Sequence, residues 1–320
     1  MVRILLVISV LLVHPIYTFS QKNKPPKPPN GYWCQTTLKM AYALGTLKLI
    51  DTEPHVPETI TKHNNIVYKI AGNDTLRIDI YQHQNINKPA PLLIFIHGGS
   101  WKGGNKDDYR RYLVDFAQQG YITATVSYRF SQQAKFPAAV NDVKCAVKWL
   151  KQNADEYMID TEKIAVIGGS AGAHLAMMVG YSPDVPEFEN ECAGTGVDSR
   201  VQAVVDIYGP ADLTAKIAIE SDVVYKFLGK SYSEAPDLYI KASPINYLSK
   251  DDPPTLIFHG TIDKTVPVNQ SDKLKAALDK EGIEAEYHRL KGWPHTMDLG
   301  LKVNNYCQYY MKEFFEKYLK

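Results

Sequence analysis

The sequence is poor in cysteine and has almost no excess of charge of either sign. Its 320 residues carry a formal net charge of +1, so nothing points to a nucleic acid or an anionic surface as partner. The four cysteines form neither a CxxC motif nor a cluster with histidine. Because such clusters are the usual sign of a bound metal, we expect no metal ion and no other cofactor.

The pairing of the cysteines stays open at the level of sequence. Cys145 lies on the apolar face of a predicted helix, where a buried free thiol is the simplest expectation. Cys34, Cys192 and Cys307 lie nearer to termini and loops, and they include candidates for a disulfide if the chain is exported.

A long apolar run is present only at the N terminus. Residues 1–20 combine Arg3, an apolar core over 4–13 and small residues at Thr18 and Ser20, a pattern that indicates a secretory signal peptide. The alternative, a membrane anchor, normally needs about 20 apolar residues. We therefore expect a secreted or periplasmic protein without a membrane-spanning segment.

Residues 21–65 are predicted to form an N-terminal extension of a catalytic domain over 66–320. The stretch 21–31 is rich in proline and lysine and is expected to be extended. Residues 36–50 carry apolar residues at helical spacing, which predicts a short helix. That helix either packs on the core, which is the simpler expectation, or lies near the entrance of a site.

From residue 66 onward, strand-like and helix-like segments alternate. Strands are predicted at 66–71, 76–82, 92–97, 121–127, 163–167, 201–207, 255–259 and 284–290, and helices at 106–119, 137–153, 171–180, 222–229, 268–281 and 301–319. The first two strands read as a hairpin that turns at Asn73-Asp74, and the later ones are apolar throughout, as in strands buried on both faces. The pattern predicts an α/β fold with a mostly parallel, doubly wound sheet and a small cap over 209–250. In such sheets, ligands bind beyond the carboxyl ends of the strands.

The most informative motif is GGSAG at 168–172, which matches the pattern G-x-S-x-G. An apolar strand precedes the motif and an apolar helical pattern follows it, which is the setting of a nucleophile elbow. Serine is also a favoured N-cap residue, so a helix cap is the alternative role for Ser170. The strand–turn–helix context favours Ser170 as a nucleophile.

A second glycine-rich loop, HGGSW at 97–101, follows another buried strand. A nucleophilic serine needs hydrogen-bond donors for the negative oxygen that forms when it attacks a carbonyl. The backbone amides of Gly99 and Ser100 are the candidates from this loop, and the amide of Ala171 is the candidate from the elbow. An ordinary turn between strand and helix is the alternative interpretation of the loop.

The serine also needs a base, and the base needs a carboxylate that orients it. His295 lies in a loop after the last predicted strand, where we expect the base, and Asp263 follows the penultimate strand. The order serine, aspartate, histidine is the one that this architecture uses. Asp206 is the alternative carboxylate, but it lies inside a strand, and Asp142 is expected to form a salt bridge with Arg129.

Taken together, HGGSW, GGSAGAH, HGTIDKTVP and the GWPH loop resemble the ordered motifs of the α/β-hydrolase carboxylesterases. The resemblance covers about residues 66–320 and is closest to the secreted acetyl- and feruloyl-esterase-like branch with H-G-G-[GS]-W. It implies Ser170 as nucleophile, His295 as general base, Asp263 as its orienting acid and an oxyanion hole from the amides named above. Residues 21–60 have no counterpart in the family pattern.

The sequence says little about the substrate. Trp101, Tyr208 and Trp293 lie next to the motif loops, where exposed rings would stack on a sugar or an aromatic acyl group and buried rings would wall the pocket. Secretion and a small cap fit a short-chain or carbohydrate-linked ester. A peptidase of the same fold and a non-catalytic binding domain are the weaker alternatives.

Overall fold

A computed structural model describes residues 24–192 and 196–320, so the predicted signal peptide at 1–20 lies outside the described residues. The strands are β1 (Ile60–Ala71), β2 (Asp74–His83), β3 (Ala90–Ile96), β4 (Ile122–Val126), β5 (Ile159–Gly169), β6 (Ala203–Ile207), β7 (Thr255–Gly260) and β8 (Ala285–Leu290). The α-helices are α1 (Gln35–Ala43), α2 (Arg110–Gln118), α3 (Ala138–Gln152), α4 (Ala154–Tyr157), α5 (Ala171–Tyr181), α6 (Lys216–Ile219), α7 (Asp222–Leu228), α8 (Pro236–Lys241), α9 (Asn269–Glu281) and α10 (Leu301–Tyr318).

The strands form one sheet in the order β1-β2-β4-β3-β5-β6-β7-β8. β2 pairs antiparallel with β1 and β4, and the other neighbours are parallel, as predicted. The hairpin turn occupies Gly72 and Asn73 rather than Asn73-Asp74, because Asp74 already pairs with Ala71. Gly72 supplies the left-handed conformation that this turn requires, with a φ of 62°.

β3 shows how the sheet divides the core into two layers. Leu92, Ile94 and Ile96 pack on one face with α3, α5 and α9. Leu93 and Phe95 pack on the opposite face with α2 and α10. Successive side chains of a strand point to opposite faces, so a strand that is apolar at every position is buried on both sides. The sheet edge where β3, β5, β6, β7 and β8 end is left for the site.

The N-terminal extension differs from its predicted form in two ways. The expected boundary at residue 66 falls inside β1, which begins at Ile60. The expected helix is present as α1, but core packing was wrong, because α1 contains no buried residue and Leu44 at its end is 74% exposed. The alternative position near a site entrance is observed, since Leu38 lines a groove together with His295.

The expected free thiol at Cys145 was also wrong, because this cysteine forms a disulfide with Cys192. Ion pairs hold the Cys192 turn against α3: Glu191 accepts from Arg129 at 2.6 Å, and Arg129 pairs with Asp142 at 2.8 Å as predicted. The Cα atoms of the two cysteines consequently lie 5.6 Å apart, within reach of a bond. Cys34 and Cys307 are free thiols, the first exposed and the second buried.

No helix between residues 24 and 192 or between 196 and 320 combines the length and the apolar character that a membrane crossing needs.

Candidate active site

Ser170 stands between β5 and α5 in a conformation that a helix cap does not require. Its φ of 56° and ψ of −121° lie outside the usual regions for an L-residue, and its side chain makes no capping hydrogen bond. The flanking glycines make this turn sterically feasible. A Cβ at Gly168 would lie 2.3 Å from the carbonyl carbon of Gly172, and one at Gly172 would lie 2.1 Å from the Ile96 oxygen. The turn therefore projects the serine hydroxyl, as the elbow motif predicts.

The ends of three strands bring Ser170, His295 and Asp263 together. His295 Nε2 lies 2.9 Å from Ser170 Oγ, and His295 Nδ1 lies 2.6 Å from Asp263 Oδ2. The carboxylate fixes the tautomer in which Nδ1–H donates to Asp263, so Nε2 is free to accept the hydroxyl proton of Ser170. Ser170 follows β5, Asp263 follows β7, and His295 lies in the loop after β8.

The surroundings of Asp263 keep its carboxylate ionised and in place. Burial alone would raise its pKa, but hydrogen bonds from His259 and His295 lower the pKa to about 2. The second carboxylate oxygen accepts backbone N–H groups from Thr265 at 2.8 Å and Val266 at 3.0 Å. Asp263 is thus negatively charged at neutral pH and would stabilise a positive charge on the imidazole of His295.

His259 supports this carboxylate, a role that the sequence interpretation missed. The ring is fully buried, its Nδ1 accepts from the Ser271 hydroxyl at 2.7 Å, and its Nε2 donates to the Val266 oxygen at 2.8 Å. The same Nε2 lies 3.3 Å from Asp263 Oδ2. The spacing of histidine and aspartate in HGTID was the available signal, because a histidine at the end of β7 can reach a carboxylate four residues later.

Asp206, the alternative carboxylate, has a different environment from Asp263. One of its oxygens accepts the Gly209 N–H at 2.6 Å, and the other has no hydrogen-bond partner among the described residues. Burial raises the pKa of Asp206 to about 7. The imidazole of His295 donates its Nδ1–H to Asp263 and not to Asp206, which lies inside the sheet as its strand position suggested.

The loop after β3 lies against the elbow. A Cβ at Gly98 would be 2.8 Å from the Gly169 oxygen and 3.5 Å from Ser170 Cβ, so the two backbones are in close contact. Gly99 and Ser100 have positive φ values of 110° and 59°. His97 braces this loop, as expected, because its Nδ1–H donates to the Gly98 oxygen at 2.8 Å. The loop is therefore beside the nucleophile, where oxyanion donors are predicted.

The three aromatic residues for which stacking on a substrate and walling of the pocket were both open are buried, which favours the wall interpretation. The exposed fraction is 3% for Trp101, 4% for Tyr208 and 2% for Trp293. Trp101 stacks on Phe227 at 4.3 Å between ring centroids, and its Nε1–H donates to His174 at 3.3 Å. The Tyr208 ring lies 4.6 Å from the His295 ring. Burial leaves little of any of the three rings for a sugar to stack on.

Two cavities meet at Ser170. The first has a volume of about 100 Å³, and it runs along Ala171 and the apolar side chains Leu213, Ile217 and Val224 of the cap. The second, of about 430 Å³, contains His295 and is more polar, with Thr52, Asp108, Thr265, Thr296 and Asp298 in its wall. A molecule that reaches Ser170 can therefore place one part in a small apolar space and another part beside the histidine.

An α/β sheet that presents a serine, an aspartate and a histidine at the ends of three strands along one edge is the arrangement of the α/β-hydrolases. The comparison with family models agrees, because residues 78–278 match the BD-FAE family. The chain belongs to this family, and the resemblance to α/β-hydrolase carboxylesterases is confirmed.

Two similar proteins with curated names are esterases. Esterase LipC of Mycobacterium tuberculosis (strain ATCC 25618 / H37Rv) is 31% identical over 254 residues, which cover 74% of this chain. Esterase LipQ of the same organism is 31% identical over 265 residues, which cover 79% of this chain. The chain spans 62% of the length of each of these two relatives.

Solved structures of similar fold include a truncated carbohydrate esterase from gut microbiota. It has a TM-score of 0.69 and 27% identity, and the match covers 80% of this chain and 95% of that one. The apo form of Thermogutta terrifontis esterase 2 has a TM-score of 0.70 and 25% identity, with 84% and 97% covered. These neighbours confirm the predicted fold class.

Proposed function

We propose that the protein is a secreted serine carboxylic ester hydrolase that cleaves short-chain or carbohydrate-linked esters, of acetyl or feruloyl type, through an acyl-enzyme. One observation carries the proposal: His295 bridges Ser170 Oγ at 2.9 Å and the buried Asp263 at 2.6 Å. The esterase names of the relatives and structural neighbours support ester hydrolysis as the reaction.

In the first half of the proposed reaction, Ser170 Oγ attacks the ester carbonyl carbon. His295 Nε2 takes the hydroxyl proton as the new C–O bond forms, and Asp263 stabilises the resulting imidazolium. The tetrahedral intermediate then collapses, the bond from carbon to the alcohol oxygen breaks, and His295 donates its proton to that oxygen. The alcohol leaves, and the acyl group stays on Ser170 as an ester.

In the second half, water takes the place of the alcohol. His295 removes a proton from the water, the resulting hydroxide attacks the acyl carbon, and the proton returns to Ser170 Oγ when the acyl–serine bond breaks. The balance is one ester and one water consumed, with one carboxylic acid and one alcohol released. Each tetrahedral intermediate carries a negative oxygen, for which the amides of Gly99, Ser100 and Ala171 are the proposed donors. Ala171 opens α5, whose positive end adds to the stabilisation.

The shape of the site favours a short acyl group over a feruloyl group. The cavity beside Ala171 that we assign to the acyl group has a volume of about 100 Å³ and an apolar wall. Structures of a similar protein, the Thermogutta terrifontis esterase, have butyrate or propionate bound. Among the two proposed types, acetyl esters therefore fit this cavity better.

The disulfide supports export. Disulfides form and persist in oxidising compartments and are rare in the cytosol. The bond between Cys145 and Cys192 agrees with a secreted or periplasmic protein, as the N-terminal sequence predicts.

An ester panel with matched serine variants tests the function. The panel contains p-nitrophenyl acetate and butyrate, acetylated xylan, methyl ferulate and a peptide amide. We expect wild-type turnover of the acetyl esters, loss of that turnover in Ser170→Ala, and retention in Ser233→Ala, which changes an exposed serine between α7 and α8. Near wild-type turnover by Ser170→Ala would refute the mechanism, and cleavage of the peptide amide alone would favour a peptidase.

A further inference from the structure

The segment that precedes β1 is docked on the loop that carries His295. Three hydrogen bonds join them: Tyr32 N–H to the Gly292 oxygen at 2.7 Å, Trp293 Nε1–H to the Pro29 oxygen at 3.0 Å, and Ile50 N–H to the Leu299 oxygen at 2.9 Å. The Tyr32 ring also packs edge-on against Trp293, with centroids 5.4 Å apart. The extension is therefore part of the wall around the candidate base.

Between this segment and the His295 loop lies a groove, which we call the α1 groove. Leu38 and Tyr42, one helical turn apart on α1, line one side, and Leu47 and Leu49 continue that side. The residues 293–300, among them Met297 and Leu299, line the other side. The groove has a volume of about 300 Å³ and a mostly apolar wall. Tyr42 is 60% exposed and Leu49 is 47% exposed, so apolar surface stays open to solvent there.

The α1 groove continues the polar cavity at Ser170. His295, Thr296 and Leu299 line both spaces, so a ligand can pass from the one to the other beside the imidazole. The small apolar cavity of the cap shares Ser100, Ser170 and Thr265 with that cavity, but it has Ala171 in its wall and not His295. The small cavity of the cap, the cavity beside His295 and the α1 groove therefore follow one another, with Ser170 between the first two and His295 between the last two.

The chemistry assigns the two parts of an ester to these two sides. Because His295 must give its proton to the leaving oxygen, the alcohol part of the ester lies on the His295 side. The acyl part then lies in the small cavity of the cap. An alcohol longer than a few atoms first meets the polar cavity with Thr296 and Asp298 and then reaches Leu38 and Tyr42.

We propose that the α1 groove is a binding site for an apolar portion of the alcohol, so that the substrate is a short-chain ester of an alcohol with an aliphatic chain. The proposal rests on the proposed ester hydrolysis and adds a subsite to it. Burial of an aliphatic chain against Leu38, Tyr42 and Leu49 would remove apolar surface from water, which favours binding.

The test compares two acetates that share an acyl group. We measure kcat/KM for ethyl acetate and n-octyl acetate in the wild type, in Leu38→Gln/Tyr42→Gln and in the control Met40→Gln/Leu44→Gln. The control changes the same helix at exposed positions outside the groove. We expect the wild type to prefer octyl acetate, and the groove variant to lower the octyl-to-ethyl ratio by about tenfold through KM. The control should keep the wild-type ratio.

A second measurement needs no variant. 1-Octanol should inhibit p-nitrophenyl acetate hydrolysis by the wild type competitively, and ethanol at the same concentration should not. Equal inhibition by the two alcohols, an octyl-to-ethyl ratio at or below one in the wild type, or an equal loss in the control pair would overturn the subsite. If ethyl and octyl acetate are both left uncleaved, the proposed function fails and not merely the subsite.

Discussion

The two helices that border the site, α5 and α1, are built in opposite ways. All of α5 is buried, and its first residues are held by contacts of glycine backbones that leave no room for a side chain. α1 has no buried residue and is held mainly by the hydrogen bonds of the segments on either side of it. Ser170 thus belongs to the buried interior, whereas the wall beyond His295 belongs to an outer layer added to it.

The largest expected effect comes from a substitution in the buried interior around Ser170. Asp263→Asn removes the carboxylate that holds His295, and we expect kcat for p-nitrophenyl acetate to fall by about 10⁴. Asp206→Asn should leave kcat within about tenfold, because His295 does not bond to it. A larger loss of kcat in Asp206→Asn than in Asp263→Asn would indicate that Asp206, on β6, is the carboxylate that orients His295.

The buried carboxyl group of Asp206 should also make the free energy of unfolding depend on pH. The pKa of Asp206 is raised to about 7, so the folded protein binds more protons than the unfolded chain between about pH 4 and pH 7. The contribution of this group to stability is therefore present in acid and is lost as the pH rises through this range, by about 1.4 kcal/mol for each pH unit. Denaturant unfolding of wild type and Asp206→Asn over this pH range measures it. A slope that the variant leaves unchanged would exclude Asp206 as the source.

An alanine substitution on each of the two helices, α5 and α1, tests the difference between them. Gly172→Ala places a Cβ where the Ile96 oxygen already lies, so we expect a loss of about 1–3 kcal/mol in the free energy of unfolding and reduced turnover. Met40→Ala on α1 changes an exposed side chain and should cost about 0.5 kcal/mol or less. Urea unfolding of both variants measures the difference, and equal losses would show that α1 is not an outer layer.

The smallest effect is expected at the contact between Trp293 and Pro29, which attaches the N-terminal segment to the His295 loop. Trp293→Phe removes the hydrogen bond to the Pro29 oxygen and should cost about 1 kcal/mol, with faster proteolysis within 24–50. Trp33→Phe, at an exposed ring, is the control and should leave the rate of proteolysis unchanged. A rate that Trp293→Phe leaves unaltered would indicate that other contacts dock the segment.

The sequence predicted the interior well because its signals there are local and steric. Strands buried on both faces are apolar throughout, and the glycines around Ser170 are required by contacts within the turn. The proximity of His295 and Asp263 to Ser170 could be predicted because parallel strands bring their carboxyl ends to one edge. Asp206 lies inside its strand, where a side chain points into the packing, so it was the less favoured candidate for the carboxylate.

The sequence could not predict features that depend on contacts between distant segments. The apolar spacing in 36–50 is the same for a helix on the core and for one along a groove, so core packing was the wrong choice for α1. The partner of Cys145 depends on how the turn at Glu191 lies over α3, which no local pattern encodes. The support of Asp263 by His259 needed the geometry of the loop after β7.

The docking of Tyr32 on Gly292 has a consequence for synthesis and for fragment design. The two residues come from opposite ends of the chain, so the wall next to His295 closes only after nearly the whole polypeptide has been translated. A fragment cut to the family match at 78–278 would keep Ser170 and Asp263 but would lose His295, β1 and α1. Expression of this protein should therefore retain the segment from residue 24 onward together with α10.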